Sequence, residues 1–195
     1  MTFACAALAA ITNFAQAQKI DIGFGGSTTL APSASSCSGD CQVPQSLAGG
    51  TFLGFSGDVL FWHNLGIGAE VNWRASQGNG AYENLYGLTY RPLFYNFNAV
   101  YSPKLASHAY LELVGGVGAM GTHLYECDNC GIAGGATPVA SSTHFDVDFG
   151  GGVKLYVHRG FFIRPEARFY WINNDTNFAG SYATRVGASI GYTFR

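Results

Sequence analysis

The sequence has few charged residues for its length. Ten lysines and arginines and 12 aspartates and glutamates among 195 residues make only 11% of the chain charged. A typical soluble domain carries about 25% charged residues, so this chain has too few charged side chains to cover a water-exposed surface. Its net charge of −2 also excludes a protein that binds nucleic acid by neutralising phosphates.

Long apolar runs are also missing. The longest spans residues 3–11, which is too short for a membrane helix of about 20 residues. It is followed by Ala15-Gln16-Ala17, a small-residue pattern typical of signal-peptide cleavage. We therefore expect residues 1–17 to be a signal peptide cleaved after Ala17, and residues 18–195 to form one domain. An ordinary N-terminal helix is the alternative, because no lysine or arginine precedes Lys19.

Aromatic residues, in contrast, make up 15% of the chain, and apolar and polar residues alternate along it. In the last segment, Tyr182, Val186 and Ile190 share one parity, whereas Arg185 shares the other with small or polar residues. Alternate side chains of a strand point to opposite faces. The parity of segment 86–101 slips around Pro92, which predicts a bulge or weak pairing. The alternation predicts eight strands, near residues 19–26, 51–62, 65–74, 86–101, 108–125, 143–157, 161–172 and 182–195.

The connections between these segments alternate between long and short. This pattern is typical of an up-and-down antiparallel meander, and an even number of strands lets such a sheet close without free edges. The fold expected is therefore all-β, an eight-stranded antiparallel up-and-down barrel over residues 18–195. The long connections fall at residues 27–50, 75–84, 126–142 and 173–180.

Two kinds of barrel fit this alternation. A soluble barrel of the lipocalin type turns its apolar face inward, whereas an outer-membrane barrel turns it toward lipid. Eight strands enclose an interior just wide enough for side chains. The polar face, rich in Gly, Ala and Ser with isolated charges, suits that space better than rows of aromatic rings. The bulk of the two faces therefore favours a transmembrane barrel.

The polar face carries charges of both signs. Buried charges are tolerated when they are paired and hydrogen-bonded, so we expect these side chains to form a network in the barrel interior, the lumen. The predicted lumen network comprises Asp21, Asp58, Glu70, Glu112, Asp146, Asp148, Lys154, Arg164, Glu166, Arg168 and Arg185.

Aromatic residues of the apolar face concentrate near the strand ends. Two aromatic girdles flanking an aliphatic band are typical of barrels that span a bilayer. We expect membrane-interface positions for Trp73, Phe145, Trp171 and Tyr182 beside the long loops, and for Phe61, Phe161, Tyr192 and Phe194 beside the short turns.

Three segments make the chain similar to a known family. They are RVGASIGYTFR at the C terminus, IRPEARFY at 163–170 and YRPLFYNFNAVY at 90–101. With them, the chain resembles the small OmpA/OmpX-like outer-membrane β-barrels of bacteria. The resemblance implies that the last strand is read by the barrel-assembly machinery during biogenesis. Here Phe194 is penultimate, one residue from the family's usual terminal position.

Cysteines occur in pairs in two of the long loops. Cys37 and Cys41 lie in the first loop, and Cys127 and Cys130 in the third. An even count in an exported chain predicts disulfides; the local pairs are simplest, and pairing across the loops is the alternative. A zinc site using all four cysteines also fits the spacing.

Several functions are compatible with this architecture. We expect an integral outer-membrane barrel of a Gram-negative-type bacterium with a structural or surface-interaction role, a plugged lumen, extracellular long loops and periplasmic termini. Its partners would be outer-membrane lipid and the assembly machinery, and we expect a monomer. A small low-conductance porin-like channel is the alternative, and a lipid-modifying enzyme is a third hypothesis. His144 and Asp146 share a strand face, but a lumen polar pair explains them, so no catalytic, cofactor or metal residue is predicted.

Overall fold

The structure is a computed structural model that describes residues 19–32, 46–75, 78–79, 88–126, 137–173 and 180–194. The predicted signal peptide and the four loop cysteines lie outside these residues. Within the described part of the chain, no helix is long and apolar enough to cross a membrane.

The described residues form ten β-strands, of which eight are long. The two short strands, Gly78–Asn79 and Lys104–Ala106, each extend the ladder of a neighbouring long strand. In chain order the strands are β1 (Lys19–Leu30), β2 (Thr51–Trp62), β3 (Leu65–Arg74), β4 (Gly78–Asn79), β5 (Leu88–Tyr101), β6 (Lys104–Ala106), β7 (Ala109–Glu126), β8 (Thr137–His158), β9 (Phe161–Ile172) and β10 (Tyr182–Phe194).

The eight long strands close into an antiparallel barrel. Each pairs with the next long strand in the chain, and β1 pairs with β10 from Ile20↔Phe194 to Leu30↔Thr184. This confirms the predicted eight-stranded up-and-down barrel. Two strands extend further into the long connections than predicted. Strand β1 continues to Leu30, and β8 begins at Thr137.

The bulge predicted at Pro92 is absent. The register between β5 and β7 passes through Pro92↔Thr122 without a shift. Pro92 lies one residue beyond the ladder with β3, which ends at Trp73↔Leu93, so its missing N–H breaks no bond to that strand. The side chains of Tyr90, Pro92 and Phe94 are all buried. Inward and outward side chains therefore alternate regularly along β5. The alternation looked irregular in the sequence only because these inward-facing residues are apolar.

The outer surface of the barrel is apolar. Outward-facing side chains such as Phe97, Ile190 and Phe24 are 71%, 65% and 47% exposed, respectively. In water, such a continuous apolar surface would be a site of association or aggregation. A bilayer instead supplies the apolar surroundings that this face requires.

The barrel interior has three layers. At the loop end, where the long connections lie, an apolar layer contains Leu47, Phe52, Phe94, Met120, Tyr170, Ile172 and Ala183. Charged residues occupy the middle. At the turn end, where the short turns and chain termini lie, Leu60, Val100 and Val114 form a second apolar cluster, and the rings of Tyr110 and Phe162 pack against Tyr156.

Candidate functional site: the charged barrel interior

All eleven charged residues assigned to the lumen from the sequence point into the barrel. Ten of them are buried, and Glu166 is half-buried with 11% of its side chain exposed. They come from β1, β2, β3, β7, β8, β9 and β10, so every long strand except β5 contributes at least one. The contacts divide them into two groups, which we call the lower network, near the turn end, and the upper network, nearer the loop end.

Lys154 is the centre of the lower network. Its Nζ lies 2.5 Å from Asp21 and 4.0 Å from Asp58, and it contacts Glu112. Oxygens of these three carboxylates lie within 4.8 Å of one another, a spacing that could hold a metal ion. Here the ammonium of Lys154 supplies the positive charge, and its side chain is fully buried.

Arg164 joins the lower network to its surroundings. Its Nη1 donates to Glu112 over 2.6 Å and lies 3.7 Å from Asp58. Its remaining nitrogens donate to Ser189 at 3.1 Å and to Ser56 at 3.0 Å. A guanidinium offers five N–H donors in a fixed geometry, so Arg164 can hold acceptors from three strands at once.

Glu70 is the centre of the upper network. Arg168 and Arg185 lie 3.0 and 3.2 Å from its Oε2. The Tyr170 hydroxyl donates to its Oε1 over 3.0 Å. Arg168 also pairs with Asp148 at 3.0 Å, and Arg185 donates to Asn72. Glu70 therefore ties together side chains of β9 and β10 from the opposite side of the barrel.

Two glycines of β7 allow side chains of β5 and β8 to contact each other across this strand. Gly116 pairs with Asn98 on β5 and Asp148 on β8, and Gly118 pairs in the same way with Asn96 and Asp146. A Cβ at Gly116 would clash with the side-chain amide of Asn98. The amide of Asn96 thereby reaches across β7 to donate to Asp146, and to Asp148 at 3.1 Å.

Acids outnumber bases in this interior. Seven carboxylates (Asp21, Asp58, Glu70, Glu112, Asp146, Asp148 and Glu166) face four cationic side chains (Lys154, Arg164, Arg168 and Arg185). Neutral donors of Asn96 and Tyr170 supplement the cations. The arrangement holds strands together through hydrogen bonds and ion pairs, and it offers no anion a favourable site.

His144 lies at the loop end of the interior. Its Nδ1 is 3.1 Å from the carbonyl oxygen of Asn173, and its Nε2 is 3.2 Å from Ser142 Oγ. These contacts connect the loop-end half of β8 to the chain just beyond β9. Arg91 lies outside the two networks, because its side chain donates to the carbonyls of Arg74 and Ala75.

The eight aromatics assigned to the membrane interface lie on the outer face at both barrel ends. At the turn end, Tyr192 packs against Phe161 and Phe194, each with ring centroids 4.8 Å apart. At the loop end, Trp171 pairs in register with Tyr182. Six of the eight are exposed, and Trp73 and Tyr192 are half-buried.

Sequence reasoning missed the uncharged members of the networks. Asn72, Asn96 and Asn98 each share inward parity with a charged or buried neighbour two residues away, which was the signal available. The contact of Tyr170 with Glu70 joins residues 100 positions apart. Strand parity predicts which face a residue occupies, and it carries no information on such distant partners.

A closed barrel with an apolar exterior and a charged interior defines the class of transmembrane β-barrels. The family described as "Outer membrane protein beta-barrel domain" matches residues 1–194. The chain belongs to this family of outer-membrane barrels, and the resemblance seen in the sequence is confirmed. No curated protein sequence matches the chain.

Solved structures of outer-membrane proteins share the fold. A major outer membrane protein from Thermus thermophilus is 11% identical with a TM-score of 0.64, covering 92% of this chain and 100% of that one. Neisserial surface protein A, NspA, is 9% identical with a TM-score of 0.58, covering 91% and 97%. Ail of Yersinia pestis, in complex with the heparin analogue sucrose octasulfate, is 12% identical with a TM-score of 0.55, covering 91% and 99%.

Proposed function

We propose that the protein is a non-conducting outer-membrane barrel with a structural or surface-interaction role. Its strands anchor it in lipid, its long loops are displayed outside the cell, and its termini are periplasmic. The observation that carries this proposal is the filled interior, where two apolar layers enclose a middle layer of paired charges.

Contacts at the loop end favour a closed interior. Leu47, in the connection between β1 and β2, is only 2% exposed and packs in the apolar layer beside Phe52. The Tyr90 hydroxyl donates to the Ser46 carbonyl, and the Gly49 N–H donates to the Thr29 carbonyl at 2.7 Å. The connection between β1 and β2 is therefore hydrogen-bonded to the barrel wall at the loop end. Opening that end of the barrel would break these bonds.

Planar-bilayer recording distinguishes this proposal from the channel alternative. The purified barrel is expected to give no stable single-channel steps, because eight strands leave room only for side chains and ion pairs occupy that room. A porin reconstituted in the same lipid is the positive control. Reproducible conductance steps that disappear when the protein is omitted would support the channel instead.

Epitope tags test the proposed orientation. A tag inserted in the third long loop, between Cys127 and Ala136, is expected to be detected by antibody on intact cells. The same tag in the short turn at Ser107 and His108 is expected to be detected only after the outer membrane is permeabilised. Detection of the turn tag on intact cells, with the loop tag hidden, would reverse the orientation.

Loop composition limits the ligands that a surface role would involve. The connections at residues 31–50, 75–87, 127–136 and 173–181 contain no lysine or arginine, and their charged residues are Asp40, Glu83, Asp128 and Asp175. A polyanion such as the sulfated sugar bound by Ail would meet net negative charge. We therefore propose an uncharged or cationic surface ligand. Local disulfides Cys37–Cys41 and Cys127–Cys130 stay predictions for the first and third loops.

A further inference from the structure

Charge outside the lumen is distributed unequally between the two ends of the barrel. Three cationic residues, Lys19, Lys104 and Arg159, lie at the turn end. Among the described residues, no aspartate or glutamate lies outside the lumen at that end, because Glu126 belongs to the loop end of β7. The remaining four acids fall in the long connections of the sequence. The turn end is therefore a surface with charge of one sign.

Lys19 lines a depression at this end, between the start of β1 and the turn that joins β2 to β3. The depression has a volume of about 210 Å³, and its other lining residues are Leu60, Phe61, Trp62, His63 and Asn64. The indole of Trp62 contacts the imidazole of His63 edge-on, with ring centroids 5.0 Å apart. An ammonium, an indole N–H and a side-chain amide thus line one small space, and all three can donate hydrogen bonds to an anion.

A β-bulge brings Trp62 to the outer face of the barrel. Strict alternation from the outward-facing Val59 and Phe61 would turn residue 62 inward. The register between β2 and β3 shifts between Leu60 and Trp62, so Trp62 pairs with the outward-facing Leu65. Bulges redirect side chains in this way, and 59% of Trp62 is exposed. Because tryptophan is enriched where lipid meets water, we place the depression at the membrane interface.

An apolar groove lies beside the depression on the outer face. Its volume of about 340 Å³ is within the range of about 300–1,000 Å³ that small-molecule sites occupy. The residues lining it are uncharged, and they include Ile22, Phe24, Phe55 and Ile190. The groove therefore suits an apolar chain, whereas the depression suits a polar group of negative charge.

The spacing between the depression and the groove matches one lipid molecule. Lys19 and Ile22 are three residues apart on β1, which is about 10 Å along a strand. Transmembrane strands tilt by about 35–45°, so the same step covers about 8 Å along the membrane normal. The headgroup layer on each side of a bilayer is about 5–8 Å thick. A lipid whose headgroup lies at Lys19 therefore has its acyl chains at the depth of the groove.

We propose that β1 carries a binding site for a phospholipid with an anionic headgroup. The phosphate lies in the depression, where Lys19 pairs with it and the Trp62 indole donates a hydrogen bond, and an acyl chain lies in the groove. The ligand must combine negative charge with an apolar chain, and an anionic phospholipid of the surrounding bilayer has both. A zwitterionic lipid fits less well, since its ammonium group would face Lys19. The site rests on the proposed orientation of the barrel only in assigning this lipid to the periplasmic leaflet.

Quenching of Trp62 fluorescence by brominated lipid tests the site in the full chain. Trp73→Phe and Trp171→Phe leave Trp62 as the only tryptophan. This protein is folded into vesicles containing equal amounts of phosphatidylglycerol and phosphatidylcholine, one of which carries bromine on an acyl chain. We expect brominated phosphatidylglycerol to quench Trp62 with an affinity about fivefold higher than that of brominated phosphatidylcholine, the effect of one cation near an anionic lipid. Equal quenching by the two brominated lipids would overturn the proposal.

Two cation variants separate this site from a general effect of charge. Lys19→Gln removes the positive charge from the depression and is expected to lower the preference for phosphatidylglycerol about fivefold, to near unity. Arg91→Gln removes one positive charge at the loop end, where the side chain donates to the carbonyls of Arg74 and Ala75, and is expected to leave the preference unchanged. A preference that survives in Lys19→Gln, or that falls equally in Arg91→Gln, would contradict the site.

Two measurements without the cation variants keep the test independent of their folding. Salt at about 1 M screens ion pairs, so it is expected to reduce the preference for phosphatidylglycerol, and a preference insensitive to salt would count against Lys19. Glycerol phosphate at matched ionic strength is expected not to compete, because it lacks acyl chains; competition would assign the depression to free phosphate compounds instead. Both leaflets of these vesicles contain the same lipids, so failure here would leave the proposed orientation and closed lumen unaffected.

Discussion

Replacing Lys154 with methionine is expected to lower the free energy of unfolding by about 3–5 kcal/mol. Lys154 is fully buried and is the only cation in contact with Asp21 among the described residues. Methionine retains much of the side-chain volume but removes the charge, so the carboxylates of Asp21, Asp58 and Glu112 would repel one another with only Arg164 beside them. Equilibrium unfolding in urea, with the protein folded into lipid vesicles, measures the loss.

Two further variants isolate the role of charge. Lys104→Met removes an exposed lysine of β6 and is expected to change stability by less than about 0.5 kcal/mol. Adding Asp21→Asn to Lys154→Met removes a carboxylate left without its partner, so the double variant is expected to be more stable than Lys154→Met alone. Simple addition of two separate losses would show that Lys154 contributes through packing rather than charge.

Replacing Phe97 with arginine is expected to lower stability by about 2–4 kcal/mol, the cost of a cation at the middle of a bilayer. Phe97 is 71% exposed on the outer face of β5, and it pairs with Ala69, which in turn pairs with Gly57 near the middle of β2. In lipid vesicles the arginine side chain would either lose its hydration or deform the bilayer to keep it. Urea unfolding in vesicles measures the effect.

Depth in the membrane supplies the control for this variant. Tyr101→Arg places the same side chain on the same face and strand, at the turn end, where the cost falls to about 0–1 kcal/mol. The comparison also distinguishes a transmembrane barrel from a soluble barrel, since both fit the alternation of the sequence. In a water-soluble barrel, Phe97→Arg would be tolerated as well as Tyr101→Arg and would improve solubility.

The interior apolar layers are where reasoning from the sequence fell short. Phe52, Phe94 and Ile172 share inward parity with charged or polar residues, yet the polar face was expected to be rich in Gly, Ala and Ser with isolated charges. They lie inside because the loop end of the barrel must be filled, and Leu47 from a connection completes their layer. The apparent parity slip at Pro92 had the same origin. In a sequence pattern, an apolar residue that faces inward cannot be told from one that faces lipid.

The amino-acid sequence by itself determined the number of long strands, their antiparallel order and which face turns outward. These properties depend on residues two positions apart and on the lengths of connections, so they are local in the chain. The tertiary structure decided which acid meets which base. Lys154 and Asp21 are 133 residues apart, and Arg164 and Glu112 are 52 apart. Such pairs arise only when closure and strand register bring opposite walls of the barrel together.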